Sequence, residues 1–141
     1  MSDYTFSAAT ADIDRERVHA WLSEQSYWAR GRARETQDAA IEASRNYSIR
    51  TETGEQVAYA RVVTDHVTFA WLCDVFVEPS IRGAGVGKML VQGVLADLDS
   101  AGLPRVVLAT ADAQGLYARY GFESPTDSNR YLIRTTVRAV D

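Results

Sequence analysis

The spacing of apolar positions changes several times along the chain, and each change marks an element. Ile13, Val18, Trp21 and Leu22 fall on one helical stripe, which predicts a helix over 13–25 with Asp12 as its N-cap. A stretch of aromatic and basic residues, 26–32, separates it from a shorter helix over 35–44, made of good helix formers with Ala39, Ala40 and Ala43 at compatible spacing. From 46 to 77 the texture becomes β-branched and aromatic. Breaks at Thr53-Gly54 and Thr64-Asp65-His66 divide it into three strands, read as an antiparallel meander. Val86, Leu90, Val94 and Leu98 then recur every fourth residue, and Gly102 followed by Pro104 ends this clearest helix.

Shorter signals fill in the rest. A strand is expected at 4–6, a central strand at 105–109, a helix at 112–120, and strands near Phe122 and over 131–137. The order β-α-α-β-β-β-α-β-α-β-β places strands on both sides of a helical crossover. That implies an α+β fold with a mixed, mostly antiparallel central sheet and helices on both faces. With 141 residues and no repeat or linker, one domain over 1–141 is expected.

Composition narrows the function. Fifteen Lys and Arg against nineteen Asp and Glu give a net charge of −4, which disfavours nucleic acid and anionic membrane as partners. No apolar run approaches the roughly 18 residues that span a bilayer. One cysteine excludes an internal disulfide and a multi-cysteine metal site. The start, Met1-Ser2-Asp3, lacks the basic and apolar regions of a signal peptide, so a soluble, cytoplasmic protein without a metal is expected.

The segment 75–88 runs from a buried strand through Arg82, Gly83, Ala84, Gly85, Val86, Gly87 and Lys88 into the long helix. Glycines let consecutive backbone N–H groups converge on an anion, and a helix N-terminus adds roughly half a positive charge. A Walker A loop needs Gly at 82 and Ser or Thr at 89, where Arg82 and Met89 stand. A dinucleotide fingerprint starting at Gly83 needs Gly or Ala at 88, where Lys88 stands, and no first βαβ unit precedes it. Arg82, Gly85 and Gly87 instead satisfy Arg/Gln-x-x-Gly-x-Gly/Ala. Further on, Ala113, Leu116, Tyr117, Gly121 and Phe122 follow Ala-x-x-Leu-Tyr-x-x-x-Gly-Phe.

Together these two motifs resemble those of the GNAT (GCN5-related N-acetyltransferase) superfamily, and the element order agrees over nearly the whole chain. The resemblance implies that Arg82 to Lys88 hold the pyrophosphate of acetyl-CoA. It also implies that Phe76 and Val77 offer backbone groups to the pantetheine arm where two strands splay apart. Thr110 stands where many members carry Asn beside the cofactor.

Acyl transfer to an amine needs a neutral nucleophile, stabilisation of an oxyanion and a proton for the departing thiolate. By resemblance Tyr117 lies beside the sulfur, and a phenol of pKa about 10 can protonate a thiolate of pKa about 8.5. Tyr120 reads as packing, and Asp112 as an N-cap. Asp74 is an acid inside the apolar run 69–77, which marks it as the expected base; alternation puts Leu72, Asp74 and Phe76 on one face and Cys73, Val75 and Val77 on the other. Cys73 reads as an inert core thiol, and His19 and His66 as solvated. Tyr27, Trp28, Arg30 and Arg32 lie between the first two helices, where the superfamily lines its acceptor pocket, and could clamp a small-molecule or peptide amine. The β-rich tail 131–137 offers an edge for a homodimer.

Overall fold

The computed structural model describes residues 3–136, which form two compact units, 3–108 and 109–136. The larger unit is built on a sheet in the order β1-β2-β3-β4-β5, from β1 (Tyr4–Ser7), β2 (Arg45–Thr51), β3 (Gln56–Thr64), β4 (Ala70–Val77) and β5 (Val106–Leu108). β1 to β4 pair antiparallel, and β5 runs parallel to β4, so the sheet is mixed. A parallel step needs a crossover, which α3 (Val86–Ser100) supplies. Its stripe of Val86, Leu90, Val91, Val94 and Leu98 is buried throughout. β5, expected as a central strand, ends the described sheet instead.

Opposite faces of the sheet receive different helices. On one face Phe6 stacks against Tyr47 with 5.8 Å between ring centres, and the Phe6 ring occupies the space where a Cβ on Gly93 of α3 would stand. Asp97 of α3 accepts from the Tyr47 hydroxyl and from Arg45 Nη2, both at 2.6 Å. On the other face Trp21 of α1 (Arg15–Gln25) stacks on Phe76 at 5.3 Å. Ile13, Val18, Leu22, Ala29, Tyr59 and Ile41 of α2 (Arg34–Glu42) complete that cluster. The cap of α1 is Asp14, whose carboxylate accepts the Arg17 N–H at 3.1 Å. Asp12, the expected cap, lies in a preceding 3-10 turn and accepts the Ser7 hydroxyl at 2.6 Å.

β4 departs from simple alternation. Tyr59 faces Phe76 and Arg61 faces Cys73, so Ala60 stands opposite two residues, Asp74 and Val75. Asp74 takes a φ of +53°, a left-handed conformation that such bulges commonly give to glycine. The extra residue shifts the period. Leu72 shares a face with Val62, whereas Cys73, Asp74 and Phe76 lie on the face of Arg61 and Tyr59. The expected grouping of Leu72 with Asp74 and Phe76 therefore fails at the bulge.

In the smaller unit α4 (Gln114–Ala118) is shorter than expected. Ala113, not Asp112, stands at its N-cap, and the Thr110 hydroxyl accepts the N–H groups of Ala113 at 3.1 Å and Asp112 at 3.4 Å. No residue from 122 to 136 joins a ladder, so neither of the two terminal strands forms among the described residues; Val137 lies outside them. β-propensity at Tyr131, Leu132 and Ile133 becomes a strand only against a partner edge, and here all three side chains are exposed. No helix among the described residues is long and apolar enough to cross a membrane.

Candidate active site

The junction of β4 and α3 is a ring of unused donors. Gly83 and Gly85 take φ values of +92° and +85°, which only glycine adopts without strain. Nothing lies within 4 Å of where a Cβ would project from either. The loop closes through Ala84 N–H to Ile81 O at 3.3 Å, and the first helical bond runs from Met89 N–H to Gly85 O at 3.1 Å. Among the described residues the N–H groups of Gly83, Gly85, Val86, Gly87 and Lys88 find no acceptor. Val86, the first residue of α3, is buried. No acid stands in the first turn of α3, so its positive end is uncompensated. Consecutive N–H groups without acceptors among the described residues, the exposed Lys88 and an open space over two glycines fit a pyrophosphate.

Arg82 is folded back on β4. Its Nε donates to Val77 O at 3.0 Å, and its guanidinium lies 5.1 Å over the Phe76 ring. Beyond Leu72, which faces Leu108, no β4 residue pairs with β5. One backbone edge of 73–77 is thus left open beside the glycine loop, with Phe76 and Val77 at its end.

Asp74 closes the other side of β4. Its side chain is 1% exposed and accepts from Trp28 Nε1 at 2.9 Å, Arg32 Nη1 at 2.9 Å and Arg61 Nε at 2.8 Å. Burial by itself raises the carboxyl pKa, but the charges and hydrogen bonds of Arg61 and Arg32 win and hold it below the usual carboxylate range. A carboxylate held this firmly as the ion is a weak proton acceptor. Arg32 Nη1 also donates to Gln37 Oε1 at 3.0 Å. Tyr27 and Trp28 form an edge-to-face pair, 5.0 Å between centres, and both rings are exposed above this buried cluster. Arg30 is exposed, with Nη1 3.5 Å from Glu24 O.

Arg61 and Gln37 are partners in this cluster that sequence reading missed. Arg61 carried a signal: it is a lone charge within the apolar run 57–63, and Asp74 is the lone charge within the neighbouring strand. Two such charges in adjacent buried strands imply each other. Gln37 carried none.

In the smaller unit Tyr117 is buried, and its ring meets Phe122 edge-on at 5.7 Å. Its hydroxyl has no hydrogen-bond partner among the described residues. Burial, aided by Asp112, raises the phenol above its ordinary pKa, so it stays a proton donor. Thr110 has its oxygen occupied by two N–H groups, leaving its hydroxyl proton to offer. Burial pushes the Cys73 thiol up to about 11, which suppresses the thiolate that a covalent acyl carrier needs. His19 Nε2 lies 2.8 Å from Arg32 O, a part-buried contact in place of the expected solvation. No group of three or more His, Cys, Asp or Glu that could hold a metal ion occurs among the described residues.

The chain is similar to known proteins in both sequence and fold. A structure from Xanthomonas campestris pv. campestris, described as belonging to the GNAT family, is 40% identical and superposes with a TM-score of 0.88 over 94% of this chain and 93% of that one. Serotonin N-acetyltransferase 2, chloroplastic, of Oryza sativa subsp. japonica is 36% identical over 84 residues, 59% of this chain. GCN5-related N-acetyltransferase 1, chloroplastic, of Arabidopsis thaliana is 31% identical over 83 residues, 58% of this chain. The match spans 42% of the length of each of these two plant relatives. The family model for the acetyltransferase (GNAT) family matches residues 15–122, the span from the start of α1 to the Gly-Phe after α4, and the chain belongs to that family.

Proposed function

We propose that this protein is an acetyl-CoA-dependent N-acetyltransferase that passes the acetyl group directly to a primary amine of a small molecule or peptide. The observation that carries this reading is the run of N–H groups at Gly83 and Gly85 to Lys88, without acceptors among the described residues, at the end of the β4 edge that does not pair with β5. Bound there, acetyl-CoA supplies an activated acyl group and a thiolate leaving group. Gly83 to Lys88 neutralise its phosphates, Arg82 guards the end of β4, and Phe76 and Val77 orient the arm.

Tyr117 holds a proton on its hydroxyl for the leaving thiolate, and the absence of a partner for that hydroxyl among the described residues supports the role. The reading treats 1–141 as one catalytic domain. Asp74, expected from sequence as the base, is assigned a holding role, because its two guanidinium partners and its indole partner occupy both oxygens. The acceptor then reaches the donor as the free amine, or loses its proton to water.

Tyr27 and Trp28 support an acceptor with an apolar or aromatic body, since their rings are exposed while Arg32 is engaged by Asp74 and Gln37. The name of the rice relative, a serotonin N-acetyltransferase, agrees with that class. Exposed Arg30 supports a second reading, an acceptor that also carries a carboxylate.

The test is thiol release from acetyl-CoA across paired amines, tryptamine with tryptophan and tyramine with tyrosine, together with a lysine peptide. Release with the decarboxylated amines is expected, and a preference for the amino acids favours the second reading. Binding of CoA without release from any acceptor turns the protein into a CoA-binding module. A homodimer in the cytoplasm completes the proposal, and light scattering that returns only the 15.6 kDa monomer removes the dimer.

A further inference from the structure

Asp74 joins two parts of the larger unit, the segment between α1 and α2 and the bulge of β4. Its backbone lies two residues beyond the last β4–β5 pair, at the bulge that sets the course of 75–77. Its carboxylate is reached from outside the sheet by Trp28 and Arg32, both in the segment between α1 and α2, and from within it by Arg61 of β3. A non-glycine residue rests in the left-handed region only when its surroundings hold it there, and these three donors are what hold Asp74. Of the three, Trp28 is the exposed one: the residue is 43% exposed, whereas the Asp74 side chain it grips is 1% exposed.

We infer that Asp74 is a positioning residue that couples the acceptor-side segment to the donor cleft, with the Trp28 indole N–H as its adjustable contact. The inference rests on the acetyl-CoA reading above. By fixing the Asp74 carboxylate, the indole fixes the bulge, and the bulge fixes the open backbone edge of 75–77 that receives the donor arm. Trp28 thereby acts on donor affinity without touching the donor. A molecule that settles on the Tyr27–Trp28 pair and turns the indole changes the shape of the cleft on the far side of β4, so occupancy of the two sites is linked.

Calorimetry with CoA alone, no acceptor present, tests this. Trp28→Phe keeps a ring and removes the N–H; the expected result is CoA binding weaker by about fivefold to tenfold, together with a lowered melting temperature of the free protein, since a buried carboxylate oxygen loses its donor. Amide hydrogen exchange in 73–77 should quicken in the same variant. Trp28→His, which returns a ring N–H, should recover most of the affinity. Two results overturn the coupling: CoA affinity equal to wild type in Trp28→Phe, or a loss that Trp28→His fails to recover. If Trp28→Phe does not fold, Trp28→Leu, which also lacks the N–H, takes its place with the same expected loss and the same overturning result. A wild-type protein that fails to bind CoA at all sinks the acetyl-CoA reading itself, an outcome distinct from both.

Discussion

The guanidinium of Arg82 lies 5.1 Å over the Phe76 ring while its Nε donates to the carbonyl of the next residue, Val77, at 3.0 Å. The planar cation is thus laid across the end of β4 before any ligand arrives, and only its terminal nitrogens are left to act on an anion. A lysine cannot reproduce a stacked, bidentate group. Arg82→Lys and Arg82→Ala should therefore weaken CoA by a similar factor, about tenfold, read by calorimetry. Full affinity in the lysine variant reduces Arg82 to a point charge.

Gly85 sets the entry to α3 from a φ of +85°, with open space over it. Gly85→Val forces a β-branched residue into that conformation, at a cost of about 1–3 kcal/mol, and places its side chain where phosphate oxygens approach. The expected outcome is a folded protein with a lowered melting temperature that CoA no longer raises. Thermal shift with and without CoA checks it, and retained stabilisation by CoA counts against the loop assignment.

Tyr117→Phe removes one hydroxyl from a buried ring and leaves its edge-on contact with Phe122 in place. Turnover should drop about 10²-fold, the typical worth of a positioned acid, with CoA affinity unchanged. Because burial raises the phenol above its ordinary pKa, wild-type turnover should show no fall from its ionisation below about pH 10. Steady-state rates from pH 6 to 10 test both statements, and an equal rate in the variant removes Tyr117 from the mechanism.

Asp74 also makes a stability prediction. Its folded-state pKa lies below the ordinary value, so its contribution is complete above about pH 4, the unfolded value, and is lost as pH falls through the folded one. Asp74→Ala leaves Arg32 and Arg61 mostly buried without their shared carboxylate. The expected loss is about 3–5 kcal/mol at pH 7 and is smaller at about pH 3, below the ordinary carboxylate pKa of about 3.9, where the unfolded chain takes up the proton before the folded one does. Urea midpoints at the two pH values give the comparison; a loss of the same size at both assigns it to packing.

Much of this was readable before any coordinates. The four-residue period of α3 and the glycines ahead of it are local signals: the side chains and the φ values they require belong to neighbouring residues. Asp74 was equally visible as an acid in an apolar run, but its role was not. One inserted residue against Ala60 rotates it onto the face of Arg61, and a bulge depends on pairing between strands, which no stretch of single sequence displays. The tail failed for a related reason. Tyr131, Leu132 and Ile133 have the composition of a strand, yet a ladder belongs to two segments, and composition speaks for only one. Gln37 was hidden because a polar residue on a helix looks solvated until the neighbouring loop is seen to cover it.

Gly93 and Asp97 of α3 meet Phe6, Tyr47 and Arg45, which belong to the first two strands of the sheet. The helix that carries the unpaired N–H groups is therefore indexed along its length against β1 and β2, on the far side of the sheet order from β5. Phosphate recognition in this chain inherits its alignment from the start of the sequence. Bulk added at Gly93, or a trimmed Phe6, should tilt the whole lever and be felt first as a change in donor affinity, at a glycine loop that neither residue touches.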